Sequence, residues 1–188
     1  MDYNNRPRKR LAQQYLLSHL PYFSDTLLCL SGPSDSFNNI YIPMMKNYGL
    51  TNIFGFDLNE KGPNIYNNDI VYAVTIMAHK YQKPFIVDAD FCRSYKNDGY
   101  NLAIIIATMK AMIPHGAVLW TFGMEYIKDN DLFEFLNKRI YNNSLVLHSK
   151  RINSRGLWEQ YHSQSEFKKS IIIGYKDGSP MKTGLLVW

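Results

Sequence analysis

Short apolar runs alternate with amphipathic stretches along most of this chain. Runs of strand length are followed by stretches whose apolar residues recur at helical spacing, a pattern typical of α/β proteins. The predicted strands cover residues 26–30, 52–56, 84–89 and 117–122. The predicted helices cover residues 8–19, 40–48, 101–112 and 129–141. This alternation predicts an α/β fold with a mostly parallel central sheet and helices on both faces.

Two regions are less regular than the rest. Residues 69–81 are ambiguous, because their first half resembles a strand whereas their second half favours a helix. Late strands are predicted at residues 145–148 and 170–175, and the terminal LLVW is a candidate for one more. No long helix separates the two late strands, which predicts an antiparallel C-terminal strand pair.

Length and composition narrow the class of protein. The 188 residues are 46% apolar, which predicts a single domain over residues 1–188 with a full hydrophobic core. No apolar run reaches 18 residues and no apolar signal core follows the basic N-terminus, so we expect a cytoplasmic protein without a membrane span. Cys29 and Cys92 are interpreted as reduced thiols, and the five histidines show no zinc-ligand spacing.

The segments TLLCLSGPSD (26–35) and NIFGFDLNE (52–60) are the most informative pair of segments. Each is an apolar strand that ends in polar or acidic residues, and a helical stretch separates the two. In nucleoside-binding α/β sheets, the first strand ends in a tight turn of small residues and the second ends in an acidic residue that accepts hydrogen bonds from the ribose. The pair therefore predicts a cofactor that carries an adenosine, with Asp57 at the ribose hydroxyls.

Positive charge is clustered along the chain. The formal net charge is +5, and basic groups recur at residues 6–10, 150–155 and 168–169. A basic surface fits a polyanion such as RNA, and it also serves solubility, so charge alone leaves both interpretations open. The first cluster, residues 1–10, is expected to be either a flexible solvated arm or an arm that contacts RNA.

The order of these elements resembles that of the Rossmann-like S-adenosylmethionine-dependent methyltransferases. Short stretches resemble, in particular, the RNA cap ribose 2′-O-methyltransferases of the viral, nidovirus type; they are RKRLAQQYL, LSGPSD, FDLNE, VDADF and SQSEF. The resemblance implies an enzyme that takes S-adenosylmethionine as cofactor and methylates RNA. It also implies location in the host cytoplasm and a protein partner in a replication or capping complex.

The resemblance assigns cofactor contacts to strand ends and loops. Ser31, Gly32 and Ser34 are expected at the methionine end, and Asp57, Leu58 and Asn59 at the ribose and adenine. Asp69 and Ile70 are expected at the adenine amino group, and Asp90 and Phe91 beside the sulfonium. The first turn departs from the family, because it reads Ser-Gly-Pro-Ser instead of Gly-x-Gly and Pro33 removes one backbone donor.

The family's catalytic group is a Lys–Asp–Lys–Glu tetrad, which takes or orients the proton of a ribose hydroxyl. The first lysine corresponds to Lys9, or to Arg8 by strict spacing; the aspartate corresponds to Asp90 and the glutamate to Glu166. Thr121 stands where the second lysine is expected. Asp88 is expected to cap a loop or to support Asp90. Glu166 is also a candidate for a simple ion pair with Lys168 or Arg155.

The missing lysine leaves three interpretations open. Lys128 or Lys9 reaches the site from another direction, or the acceptor is a different group. Alternatively, the chain is a catalytically inactive methyltransferase-like module that binds RNA or protein. An α/β protein that binds another nucleotide is a further alternative.

Overall fold

One nine-stranded mixed sheet forms the centre of the computed structural model, which describes residues 6–91, 93–124, 128–152, 156–161 and 166–188. In chain order the strands are β1 Thr26–Leu30, β2 Asn52–Asp57, β3 Ile65–Asn67, β4 Ile86–Asp90, β5 Ala117–Gly123, β6 His148–Arg151, β7 Trp158–Tyr161, β8 Lys169–Asp177 and β9 Ser179–Val187. Across the sheet they are ordered β3-β2-β1-β4-β5-β9-β8-β7-β6. The predicted α/β class is confirmed.

Strands β1 to β5 form the parallel half of the sheet. β1 pairs with β2 on one side and with β4 on the other, both in parallel, and β5 pairs in parallel with β4. β2 therefore pairs on one side of β1, and the chain later returns to add β4 on the other side. In such sheets, the crevice at the carboxyl ends of the two diverging strands is where ligands bind.

The antiparallel half is larger than the predicted strand pair. Strands β9, β8, β7 and β6 follow β5 in antiparallel order. β7 lies in a segment that the sequence indicated as polar and basic, and β6 begins at His148, where the strand predicted at residues 145–148 ends. LLVW belongs to β9, apart from its last residue. The sequence signal for β7 is weak because this strand has only four residues, two of which are polar, and does not alternate apolar and polar positions.

Six α-helices and one π-helical turn complete the described fold. They are α1 Pro7–Ser18, α2 Ser34–Ser36, the π-helical turn Phe37–Tyr41, α3 Ile42–Lys46, α4 Ile70–Tyr81, α5 Tyr95–Met112 and α6 Asp129–Arg139. The ambiguous segment 69–81 is thus helical after its first residue. No helix in the described part of the chain is long and apolar enough to cross a membrane.

Three helix starts differ from the sequence prediction. The helix predicted at residues 40–48 corresponds to helical structure that begins at Ser34 and ends at Lys46. α5 begins at Tyr95 instead of residue 101, because the Ser94 hydroxyl accepts a hydrogen bond from the Lys96 N–H at 3.2 Å and caps the helix. α1 begins at Pro7 and so includes residues 7–10 of the basic arm predicted at residues 1–10, of which residues 1–5 lie outside the described part. Lys9 is only 2% exposed, so this part of the arm is a packed helix and not a solvated tail.

Each face of the sheet carries its own hydrophobic core. The α5 face, which α4, α5 and α6 cover, includes Leu28, Val87 and Val118. The α1 face, which α1 and residues 34–46 cover, includes Leu27 and Ile86. Because successive strand residues point to opposite faces, an apolar run of five residues supplies both cores at once.

Candidate functional site

A cavity of about 600 Å³ opens at the carboxyl ends of β1, β2 and β4. All the residues predicted to contact the cofactor line this cavity, with the exception of Ser34; they are Ser31, Gly32, Asp57, Leu58, Asn59, Asp69, Ile70, Asp90 and Phe91. Lys9 lines it as well. These residues come from five separate segments of the chain, and the fold brings them to one crevice.

Asp57 forms part of the cavity wall at the end of β2. Its Oδ1 accepts hydrogen bonds from the N–H groups of Asn59 at 2.7 Å and Glu60 at 3.0 Å. The Asn67 side chain donates to the Leu58 carbonyl at 2.6 Å and ties the same loop to β3. The turn thus holds the carboxylate in place through one oxygen, and Oδ2 keeps its capacity to accept hydrogen bonds from a ligand.

Asp69 has a structural role that the sequence analysis did not assign, because it caps the start of α4. Its Oδ1 accepts hydrogen bonds from the N–H groups of Val71 at 2.7 Å and Tyr72 at 3.2 Å, which makes it the N-cap of α4. A capping carboxylate satisfies backbone donors that the first helical turn leaves unpaired. Asp69 therefore lines the cavity while it anchors the helix behind the predicted adenine position.

The turn after β1 packs closely against β2, and Gly55 of β2 makes this close packing possible because it has no side chain. A Cβ atom at Gly55 of β2 would lie 2.7 Å from the Phe37 ring and 2.9 Å from the Ser31 Cβ. Gly32 has a positive φ of 62°. Ser34 lies outside the cavity lining, and its carbonyl accepts a hydrogen bond from the Asn38 side chain at 2.9 Å. The sequence signal for Gly55 was a glycine inside a strand, which often marks a close backbone approach.

Lys9 and Asp90 form a buried ion pair at the edge of the cavity. Their side chains are 3% and 7% exposed. The Asp177 carboxylate accepts hydrogen bonds from the N–H groups of Arg8 at 2.9 Å and Lys9 at 3.1 Å, so the β8–β9 turn holds the start of α1 over the sheet. Arg8 is exposed and donates to the Lys176 carbonyl at 2.7 Å. Of the two candidates for the first lysine, Lys9 therefore reaches the cavity.

Asp88 lies deeper on the same face of β4 and is 2% exposed. The Tyr41 hydroxyl donates to its Oδ2 at 2.6 Å, and Cys29 of β1 is its register partner. Burial, with a further contribution from the negative charge of Asp90, raises the pKa of Asp88 to about 7, although the Tyr41 hydrogen bond and Lys9 act in the opposite direction. Asp88 is thus not a loop cap, because it sits within β4 and is bonded to a buried tyrosine.

A buried pair of threonines stands where the second lysine of the tetrad is expected. Thr121 is in register with Asp90 on one side and with Thr183 of β9 on the other. The two threonine hydroxyls lie 2.9 Å apart, and the Thr183 hydroxyl donates to the Trp120 carbonyl at 2.7 Å. Because the Thr183 hydroxyl donates its hydrogen to that carbonyl, the Thr121 hydroxyl is the donor between the two threonines.

The lysines nearest to Thr121 in the sheet or along the chain do not replace the missing one. Lys182 of β9 extends on the α5 face, where its Nζ lies 3.1 Å from the Asp129 carboxylate. Lys128 is exposed and precedes α6. The described structure thus places Lys9 as the lysine of this cavity.

Glu166 lies apart from Lys9 and Asp90. Its carboxylate contacts the Lys110 Nζ at 3.0 Å. Lys110 belongs to the last turn of α5, beside the strand starts and therefore at the sheet edge opposite the cavity. This placement does not agree with the expected catalytic position of Glu166. It agrees with the alternative that Glu166 forms a simple ion pair, although its partner is Lys110. Of the two partners considered, Lys168 contacts His115 at 3.3 Å, and Arg155 lies outside the described residues.

The start of α5 supplies cavity residues that the sequence analysis missed. Arg93, Asp98 and Asn101 line the cavity next to Phe91. Burial raises the pKa of Asp98, whereas the nearby Arg93 lowers it. These residues were overlooked because the segment was predicted to be a loop; a serine cap ahead of Asp98 was the available signal for a helix.

Within the described residues, no group of three or more His, Cys, Asp or Glu side chains is arranged to hold a metal ion. Cys29 is a buried free thiol, and Cys92 lies outside the described residues. In comparisons with known proteins, no protein-family model matches the chain, and no curated protein shows significant similarity to it.

Proposed function

We propose that this protein is an S-adenosylmethionine-dependent methyltransferase with a Rossmann-like fold. One observation carries the proposal: the crevice where β1 diverges toward β2 and β4 is open, and it has Asp57 at the end of β2 and the Lys9–Asp90 pair at the end of β4. A nucleoside cofactor in such a crevice places its ribose at the second strand and its reactive end nearer the fourth.

The residues present fit this cofactor. The cavity volume of about 600 Å³ falls in the usual range for small-molecule sites. Asp57 would hold the ribose through Oδ2, with Leu58 and Asn59 beside the adenine, while Ser31 and Gly32 would hold the methionine end. The bound cofactor would supply an electrophilic methyl group on a positively charged sulfur, which the carboxylate of Asp90 would attract.

The acceptor that we propose is an RNA ribose hydroxyl. Such a hydroxyl must lose its proton during transfer, and Lys9 is the basic group that the fold holds at the cavity. Asp90 holds the lysine side chain in place. Exposed Arg8 and Lys176 meet at the start of α1, close to Lys9, where they can contact phosphates. Exposed Lys150 and Arg151 lie farther away, in the edge strand β6.

Calorimetric titration with S-adenosylmethionine and with S-adenosylhomocysteine tests the cofactor. We expect binding by the wild type and at least a tenfold weaker affinity for Asp57→Ala. Asp25→Ala is the matched control, because Asp25 is a half-buried carboxylate that precedes β1 at the opposite edge of the sheet and accepts from the Asn52 side chain at 2.9 Å. No binding at millimolar ligand overturns the proposal.

A second candidate function is a methyltransferase-like module that binds RNA or protein without catalysis. It is favoured by the buried Thr121–Thr183 pair and by the position of Glu166, because both differ from the expected tetrad. A transfer assay with capped RNA and labelled cofactor separates the two functions. RNA binding that falls steeply with salt, without any methyl transfer, would select the module.

A further inference from the structure

Two acidic side chains follow each other on one face of β4. Asp88 and Asp90 are two positions apart in the strand, so both point to the α1 face and their Cα atoms are about 7 Å apart. Ala89, between them, belongs to the core on the other face. Asp90 lines the cavity, whereas Asp88 is enclosed behind it.

The surroundings of Asp88 contain few charged groups. The π-helical turn contributes Tyr41, β1 contributes Cys29, and β5 contributes the apolar Leu119 as register partner. Burial raises the pKa of both the Cys29 thiol and the Tyr41 hydroxyl well above their ordinary values, so both are neutral near pH 7. The charges that act on Asp88 are therefore those of Asp90, in the same strand, and Lys9, from α1.

Ionisation of both carboxyl groups is unfavourable in this part of β4. Two negative charges then lie two positions apart on one face of a buried strand, in a region of low dielectric, and repel each other. A proton on Asp88 removes this repulsion and leaves the ion pair of Lys9 and Asp90 in place. The Tyr41 hydroxyl opposes this protonation, since its hydrogen bond stabilises the ionised form.

We propose that Asp88 is a positioning residue whose protonation state sets how firmly Lys9 keeps its own proton; this inference rests on the proposed function. When Asp88 releases its proton to solvent, the added negative charge favours the ammonium form of Lys9 and makes it a weaker base. When Asp88 is neutral, this additional negative charge is absent and Lys9 gives up its proton more readily. The other described charged groups that line the cavity with Lys9 and Asp90 are the same in both states; they are Asp57, Asp69, Arg93 and Asp98.

NMR titration of the ligand-free protein, with labelled aspartate carboxyl and lysine ε positions, tests this coupling. We expect the wild-type Asp88 carboxyl to titrate near pH 7, far above an ordinary aspartate. In Asp88→Asn, the Lys9 signal should titrate about one pH unit lower than in the wild type. In Asp25→Asn, the matched control at the opposite edge, it should not move. An unchanged Lys9 midpoint in Asp88→Asn overturns the proposal.

A second variant keeps the proposal testable if Asp88→Asn does not fold. Tyr41→Phe removes the hydrogen bond that stabilises the ionised carboxylate, so the Asp88 midpoint should rise. The Lys9 signal should show an inflection at this same, raised pH, because it senses the ionisation of Asp88. A Lys9 signal without that inflection overturns the proposal. In the transfer assay, the pH at which activity rises should shift downward in Asp88→Asn together with Lys9. Absence of transfer at every pH defeats the proposed function, whereas transfer with unshifted profiles defeats only the role of Asp88.

Discussion

Lys9 in the first helix and Asp90 at the end of β4 form a buried ion pair, although most of the parallel half of the sheet separates them in sequence. Removing one partner of such a pair leaves a charge without compensation. We expect Lys9→Met to lower the free energy of unfolding by about 3–5 kcal/mol and to abolish transfer. Denaturant unfolding followed by circular dichroism measures the first effect.

Lys110→Met is the matched control for this prediction. Lys110 and Glu166 are 29% and 37% exposed, so their pair is screened by solvent and contributes about 1 kcal/mol or less. Equal losses in the two lysine variants would contradict the buried character of the Lys9–Asp90 pair.

Asp90 and Glu166 were both expected to take part in catalysis, and the fold separates them. We expect Asp90→Asn to reduce kcat at least a hundredfold, because it removes the carboxylate that orients Lys9. Glu166→Gln should change kcat less than twofold. Radiolabelled methyl transfer to capped RNA measures both. A large loss in Glu166→Gln would mean that the opposite edge of the sheet takes part in the reaction.

Thr121 distinguishes a structural hydroxyl from a catalytic one. In Thr121→Val the Thr183 hydroxyl loses its hydrogen-bond donor, and the free energy of unfolding should fall by about 1 kcal/mol. Since the Thr121 hydrogen is already engaged, kcat should stay within twofold. A tenfold fall in kcat, with folding intact, would instead indicate that this hydroxyl contacts the acceptor.

Gly55 allows β2 to approach the turn after β1. We expect Gly55→Ala to cost about 1–3 kcal/mol, because its Cβ meets the Phe37 ring and Ser31 at less than 3 Å. Cofactor affinity should fall as well, since Ser31 lines the cavity. Gly174→Ala is the control, because its Cβ would meet the end of the flexible Lys182 side chain at 2.9 Å. Thermal melting and calorimetry measure the two effects.

The raised pKa of Asp88 predicts that the free energy of unfolding depends on pH. The folded state binds a proton at Asp88 with a pKa of about 7, whereas an unfolded aspartate has a pKa near 3.8. The folded state therefore holds more protons between these values, and the free energy of unfolding falls as pH rises from about 4 to about 7. Asp88→Asn lacks this contribution. Its stability relative to the wild type should increase with pH, by about 2–4 kcal/mol at most.

Urea unfolding of both proteins at pH 5 and pH 8 measures this difference. A constant difference at the two pH values would show that Asp88 is ionised in the folded protein throughout.

Four strands of the parallel half, and the sheet edge at which the cavity opens, were predictable from the sequence. The strands β1, β2, β4 and β5 are apolar runs of strand length, and local burial preferences are enough to identify them. The turn after β1 and Asp57 after β2 could be assigned to the same edge because parallel strands end on the same side. The pairing and direction of these strands agree with that assignment.

Elements that depend on distant partners were not predictable. β3 has three residues and pairs with β2, while β7 is a polar strand between β6 and β8. The start of α5 looks like a loop in sequence, and Gly99 in its second turn packs against the Phe135 ring of α6. In each case contacts outside the segment itself help to stabilise the element, so the local pattern carries little information.

The sequence by itself determined the strand–helix alternation, the acidic end of β2 and the absence of a lysine at Thr121, because each is a property of residue type and local spacing. Only the tertiary structure decided that Lys9 meets Asp90, that Tyr41 encloses Asp88, and that Glu166 lies at the opposite edge. The physical reason is that strand direction and helix docking are set by burial over the whole sheet. A side chain's neighbours therefore depend on contacts that no local segment contains.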